Sequence, residues 1–161
     1  MKRLLIFAVV GGAALVSGIA LALAGTGGKP TVSIKRIAGK GNVLVDAKGR
    51  ALYRNDQERG RMVLCTGACV SFWKPLVVKG TPKGRSLPGK LALVKRPDGR
   101  RQVTYDGRLL YTFTLDRPGK VTGDNFKDAF GGQNFTWHVV HPTKTPSSPP
   151  PTTGTTPYPG Y

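Results

Sequence analysis

One short string is written twice in this chain, 58 residues apart. The first copy is Gly49-Arg50-Ala51-Leu52-Tyr53, followed by Glu58-Arg59. The second is Gly107-Arg108-Leu109-Leu110-Tyr111, followed by Asp116-Arg117 at the same distances. Val45 and Val103 extend the match upstream at the same offset. A repeat held at one offset points to a domain built from two similar units, each burying its apolar face against the other. The repeat organises the fold and names no reaction.

Between residues 29 and 142 few stretches carry helical periodicity. Short β-rich runs alternate with Gly, Pro and Asp-Gly punctuation. Strands are expected at 31–37, 43–46, 51–54, 73–78, 91–95, 102–105, 109–114 and 137–140. Asp106-Gly107 is the best hairpin signal, because this dipeptide readily takes the positive φ of tight turns. Each unit then runs on to a Trp-led strand, Trp73-Lys74-Pro75-Leu76-Val77 in the first and Trp137-His138-Val139-Val140 in the second. The two Trp residues are 64 apart, so the second unit carries six extra residues in its loop. An isolated hairpin is marginal in water. Two packed units, about 43–78 and 101–140, are expected to share a core of Leu52, Tyr53, Trp73, Leu110, Tyr111, Phe113 and Trp137. The fold class is all-β: antiparallel hairpin-plus-strand units in one small sandwich or barrel-like domain, preceded by an N-terminal apolar helix.

The two ends place that domain outside the cytoplasm. Lys2 and Arg3 precede an uncharged run from Leu4 to Ala24. This is the pattern of a signal peptide with cleavage after Ala24, and its length also suits a retained membrane anchor. Either way the rest of the chain is exported. From Thr143 to Tyr161 the sequence is rich in Pro and Thr and offers no core, which predicts a disordered tail. The whole chain has 25 Lys and Arg against 8 Asp and Glu, a net charge of +17. Residues 29–142 hold 22 of those cations and all eight acids, leaving +14. Such a charge favours anionic partners, and an anionic membrane surface or cell-wall polymer fits an exported protein. No sequence-specific nucleic-acid module is present, and no protein partner is indicated.

Few residues offer chemistry. Cys65 and Cys69 are the only cysteines. Their spacing and an oxidising compartment fit one structural disulfide, reached across a helical turn or a tight loop at Gly67. A redox or copper-binding pair of thiolates is the alternative; two sulfurs alone do not complete a zinc site. His138 and His141, three apart on a predicted strand, point to opposite faces and do not chelate one ion. Ser33, Ser71 and Ser86 lie in no nucleophile motif. Asp46, Asp56, Glu58, Asp106 and Asp116 fall near the repeated turns. The symmetric placement of Glu58 and Asp116 suggests structure, either as acceptors for backbone N–H groups at a loop entry or as partners of Arg50 and Arg108. No catalytic residue, cofactor or metal site is expected, and the chain reads as a non-enzyme.

These residues resemble a bacterial family of exported repeat proteins, the secreted-repeat or predicted lipoprotein family, marked by Tyr-x-[Phe/Trp/Tyr]-x-x-Asp. Tyr111-Thr112-Phe113-Thr114-Leu115-Asp116 matches in full. Leu44 to Tyr53, Cys65 to Cys69 with Phe72 to Leu76, and Trp137 to Val140 look like further family stretches. The resemblance implies an exported envelope protein of unestablished biochemical function, with Tyr53, Glu58, Trp73, Tyr111, Phe113, Asp116 and Trp137 as the motif residues. The first copy departs from the pattern, with Asn55 at the aromatic position and Glu58 at the acidic one. No Cys precedes Cys65, so N-terminal lipidation is not expected.

Overall fold

A computed structural model describes residues 29–143. The signal or anchor segment 1–24, its expected helix, and the Pro/Thr-rich tail beyond Thr143 lie outside the described residues. Among the described residues, no helix is long and apolar enough to cross a membrane.

Ten strands and one helical turn follow in order: β1 (Val32–Ile37), β2 (Gly41–Asp46), β3 (Tyr53–Asn55), α1 (Cys69–Phe72), β4 (Trp73–Pro75), β5 (Leu91–Lys95), β6 (Arg101–Tyr105), β7 (Arg108–Leu109), β8 (Tyr111–Phe113), β9 (Phe126–Phe130) and β10 (Gln133–Val139). All strand pairs are antiparallel, in sheets β1-β2, β5-β6-β7 and β4-β8-β3-β10-β9. The expected all-β, mostly antiparallel architecture is what the chain adopts.

The register shows that the repeat is longer than the string that announces it. Val32↔Asp46 and Ile34↔Leu44 in β1-β2 correspond to Leu91↔Tyr105 and Leu93↔Val103 in β5-β6, an offset of 59. Past the turn the offset is 58, with Val45↔Ala51 answering Thr104↔Leu109. The first turn therefore holds one more residue than the second. The structural counterpart of Val103 is Leu44, and Val45 answers Thr104, so the upstream Val match is a coincidence of one-residue slip. Each unit also begins one strand earlier than the string suggests, at β1 and at β5. The second turn, Asp106-Gly107, has φ of 47° and 75°, the doubly left-handed form that joins twisted strands tightly.

The two units are crossed. β4, which follows the first hairpin in sequence, pairs with β8 of the second, Trp73 opposite Phe113 and Pro75 opposite Tyr111. β10 pairs in return with β3 of the first, Trp137 opposite Asn55 and Val139 opposite Tyr53. The centre of the arrangement is the single pair Tyr53↔Tyr111 between β3 and β8. Backbone hydrogen bonds repeat the exchange. Leu52 N–H donates to Leu44, Leu44 to Val140 and Val140 to Leu52. In the other unit Leu110 donates to Val103, Val103 to Leu76 and Leu76 to Leu110. Each unit's Trp-led strand thus satisfies the backbone of the other unit, as buried N–H and C=O groups require.

Alternation along the crossed strands creates two cores where one was expected. Tyr53, Tyr111, Phe113, Trp73 and Trp137 point to an aromatic core with Cys65, Cys69 and Phe135. Leu52 and Leu110 point to the opposite face, with Val32, Leu44, Val103 and Val140. The five-stranded sheet curls until its edge strands β4 and β9 approach. Trp73 and Phe126 rings lie 6.1 Å apart and those of Phe72 and Phe130 5.8 Å apart. No backbone ladder joins β4 to β9, so the sheet is a half-barrel whose seam is closed by side chains. The expected strand at 73–78 leaves the β8 ladder after Pro75 and runs on along the second hairpin, with Leu76 bonded to both Leu110 and Val103, Val77 bridged to Gln102 and the Val78 N–H donating to the Arg101 carbonyl. The strand expected at 137–140 is the end of a longer β10, and β9 with the turn at Gly131-Gly132, φ of 58° and 80°, is an addition to the expected strands.

Candidate functional site

The motif residues meet at the crossing. Tyr53 Oη donates to Asp116 Oδ2 at 2.5 Å, and Tyr111 Oη donates to Glu58 Oε2 at 2.8 Å. Each phenol therefore reaches the acid of the other unit. Each acid uses its second oxygen on its own loop. Asp116 Oδ1 accepts the N–H and hydroxyl of Thr122, at 2.9 and 2.7 Å. Glu58 Oε1 accepts the N–H groups of Leu64 and Cys65, both at 2.7 Å. The expectation that these acids accept loop N–H groups holds. The alternative pairing does not: Arg50 forks onto Asp46 at 3.0 and 2.8 Å, and Arg108 donates to the Asn55 carbonyl at 2.8 Å.

The departure of the first copy from the motif is compensated locally. Asn55 Nδ2 donates to Glu58 Oε2, and Glu58 N–H donates to Asn55 Oδ1, both at 2.8 Å. The longer acid is thus steadied by an amide at the position where the second copy has Phe113. Phe113 instead stacks on Trp73, with ring centroids 4.3 Å apart. Burial, then the hydrogen bond to Asp116 and its charge, push the Tyr53 phenol far above its ordinary range. Burial and the Glu58 charge do the same to Tyr111. Both phenols stay protonated donors, which suits a clasp between units and leaves no free acid–base pair.

Trp73 and Trp137 stack at 3.9 Å and 9° on the same crossing. Asp128 on β9 accepts both indole N–H groups, Trp73 through Oδ2 at 2.7 Å and Trp137 through Oδ1 at 2.9 Å. Tyr53 meets Trp73 edge-on at 5.4 Å, and Tyr111 meets Trp137 edge-on at 5.1 Å. Gly123 closes over this cluster. Its N–H donates to Tyr53 Oη at 3.3 Å, and a Cβ there would lie 2.7 Å from the Trp73 ring. Sequence reasoning missed Asp128. Two buried indoles each need an acceptor, and that requirement was the available signal.

Cys65 and Cys69 form a disulfide with Cα atoms 5.3 Å apart, both sulfurs buried. The link spans the turn at Gly67, which has φ of 53°, and ends in α1. The Cys65 carbonyl accepts from Arg96 at 2.7 Å, and Arg96 also donates to Gln102. Arg96 and Gln102 stand where the first unit has Ile37 and Val43, so the second unit trades apolar contacts for a polar brace under the cystine loop. His138 and His141 do not converge. His138 lies between Asp56, 2.8 Å away, and Asn125, 3.1 Å away, whereas His141 meets the Asn42 carbonyl. Burial opposes ionisation of Asp56, but hydrogen bonds from His138 and Arg54 outweigh it and hold that carboxyl below its ordinary value. Among the described residues, no group of three or more His, Cys, Asp or Glu side chains is placed to hold a metal ion.

The acids are all engaged. Asp46, Asp56, Asp98 and Asp124 pair with cations. Glu58 and Asp116 are buried in the clasp, and Asp128 holds the indoles. Asp106 accepts the Lys90 N–H. The hydrogen bond from Arg100 pulls Asp98 down to about 2. Of the 22 Lys and Arg in 29–142, only Lys40, Arg50, Arg54, Arg96, Arg100 and Arg108 join carboxylates, which leaves sixteen without an acidic partner among the described residues. Several gather beside the β5-β6 hairpin. Arg61 and Lys95 line one shallow cleft, Lys79 lines another beside the Asp98-paired Arg100, and Arg101 and Gly99 belong to both.

No curated protein and no solved structure matches the chain. The first unit lies outside the range that a family comparison matches. Residues 92–141, the second unit from β5 to just past β10, match the family model described as a secreted repeat of unknown function, the family that Tyr111–Asp116 and Trp137–Val140 resemble.

Proposed function

We propose that the chain is a non-catalytic module of the cell envelope, outside the cytoplasm, whose cationic face holds anionic polymer or lipid headgroups. The match to a secreted repeat supports the extracytoplasmic setting. The observation that carries the binding role is the imbalance of partners: every acid is engaged within the fold, and among the described residues sixteen cations face no carboxylate. An uncompensated surface of one sign attracts counter-charged polymers over distances set by the ionic strength. The cleft cations Arg61, Lys79, Lys95 and Arg101 are the favoured contact, because all four are exposed, join no carboxylate among the described residues and line the two clefts that share Arg101.

The non-catalytic reading rests on the commitment of Tyr53, Tyr111, Glu58 and Asp116 to one another and to loop N–H groups. A redox or copper role for Cys65 and Cys69 gains no support, because both sulfurs are buried and bonded to each other. The test is retention of the full chain on an immobilised phosphodiester polymer across a salt series. Retention at low ionic strength that salt abolishes, and that falls when Arg61, Lys79, Lys95 and Arg101 are changed together to Gln, is the expected result. Absence of retention at low ionic strength would refute the reading.

A further inference from the structure

Three of the four large hydrophobic side chains that the described surface exposes meet in one place. Phe72 is 47% exposed, Leu115 69% and Phe126 41%, and all three line a groove at the β4-β9 seam. Its remaining wall is Phe113, Ala129 and Phe130, with the Trp-bound Asp128. Concentrating exposed apolar groups in one groove, when single ones elsewhere need no explanation, marks a surface that meets something apolar.

The charges nearby say what. Lys74 lies two residues after Phe72, Arg117 two after Leu115 and Lys127 next to Phe126; all three are exposed and join no carboxylate among the described residues. A second copy of this domain would bring the same +14 and be repelled. The chain's own segment 144–161 carries Lys144 and no Asp or Glu, so its side chains offer these cations no counter-charge. An anionic bilayer supplies both requirements at once, acyl chains for the apolar tips and headgroups for long cationic side chains reaching outward.

We propose that the β4-β9 groove docks on the surface of an anionic lipid bilayer, with Phe72, Leu115 and Phe126 entering the acyl boundary and Lys74, Arg117 and Lys127 at the headgroups. This rests on the envelope reading and names lipid as the partner at a second face, away from the clefts of the β5-β6 hairpin. One shallow patch binds a membrane weakly, so apolar and cationic contacts act together.

The two tryptophans of the chain make the groove directly observable, because Trp73 lies 6.1 Å from Phe126 and bonds the Asp128 carboxylate in the groove wall. The full chain is mixed with phosphatidylglycerol vesicles whose acyl chains carry bromine, and Trp emission is followed. The expected result is quenching that the double variant Leu115→Ser with Phe126→Ser largely loses, while the variant still melts in one cooperative transition and keeps its retention on phosphodiester polymer. Vesicle-bound protein that shows no quenching overturns the proposal, as does quenching that survives the double variant. Quenching that appears only after residues 144–161 are removed, or a dimer that the same variant dissociates, assigns the groove to another occupant and also overturns it. Loss of polymer retention with quenching intact would refute the cationic-cleft reading and leave the groove assignment standing.

Discussion

Raising the pH should unlock the clasp between the units, and the effect has a calculable size. In the unfolded chain Tyr53 and Tyr111 ionise near their ordinary value of 10.0. In the folded chain both are buried against carboxylates and held far above it. The unfolded state therefore releases protons that the folded state keeps, and stability falls as pH rises. The contribution is complete below pH 10.0 and is lost progressively above it. One unit above that value, each tyrosine costs about 1.4 kcal/mol, so the pair costs about 3 kcal/mol. That is a sizeable share of the roughly 5–15 kcal/mol that holds a small domain together. Following tyrosinate absorbance together with circular dichroism during an alkaline titration is the assay. Ionisation of both phenols should coincide with cooperative loss of structure. Tyr53→Phe combined with Tyr111→Phe should flatten the dependence, leaving only the smaller contribution of Tyr105, which burial also raises. Free titration of Tyr53 and Tyr111 near their ordinary value in a protein that remains folded would rule out a clasp made by these two phenols.

Two further perturbations probe the same crossing. Asp128→Asn keeps the shape but turns one acceptor into a donor facing an indole N–H, and should cost about 1–3 kcal/mol in urea denaturation with a change in the near-ultraviolet signal of the Trp73–Trp137 stack. Replacing Cys65 and Cys69 together by Ala opens a loop of sequence separation 4 and should lower stability by about 2 kcal/mol, leaving the strands in place; complete unfolding would mean that the bridge does more than restrain a loop.

How far the sequence disclosed this molecule depends on whether a feature is local. Asp106-Gly107 and the alternation around it are local, and the second hairpin was readable residue by residue. Leu91–Lys95 was readable for the same reason. Only the end of β10 was identified; β9 and the turn that joins the two strands were not, although Gly131-Gly132 suits a tight turn. The run Phe126-Lys127-Asp128-Ala129-Phe130 places its polar Asp128 on the buried side, where it serves two tryptophans and breaks the usual apolar-in pattern. The repeat was visible as a string, yet its upstream alignment slips by one because the first turn has an extra residue, which only the pairing register reveals. The crossing of β4 and β10 left no local trace, because strand order is decided by long-range packing of Trp73 on Trp137. The same limit applies to the candidate surfaces. Net charge was available from composition. The engagement of all eight acids within the fold, and the gathering of Phe72, Leu115 and Phe126 at one seam, arise only when distant segments of the chain come together.

The two repeats are not independent units, since each lends its Trp-led strand to the other. Residues 29–88 and 89–143, prepared as separate fragments and melted each alone and in equimolar mixture, put this dependence to the test. The exchange of β4 and β10 predicts that neither fragment shows a cooperative transition as a monomer, and that the mixture recovers one together with the Trp stacking signal. A monomeric fragment that melts cooperatively on its own would contradict the crossed architecture.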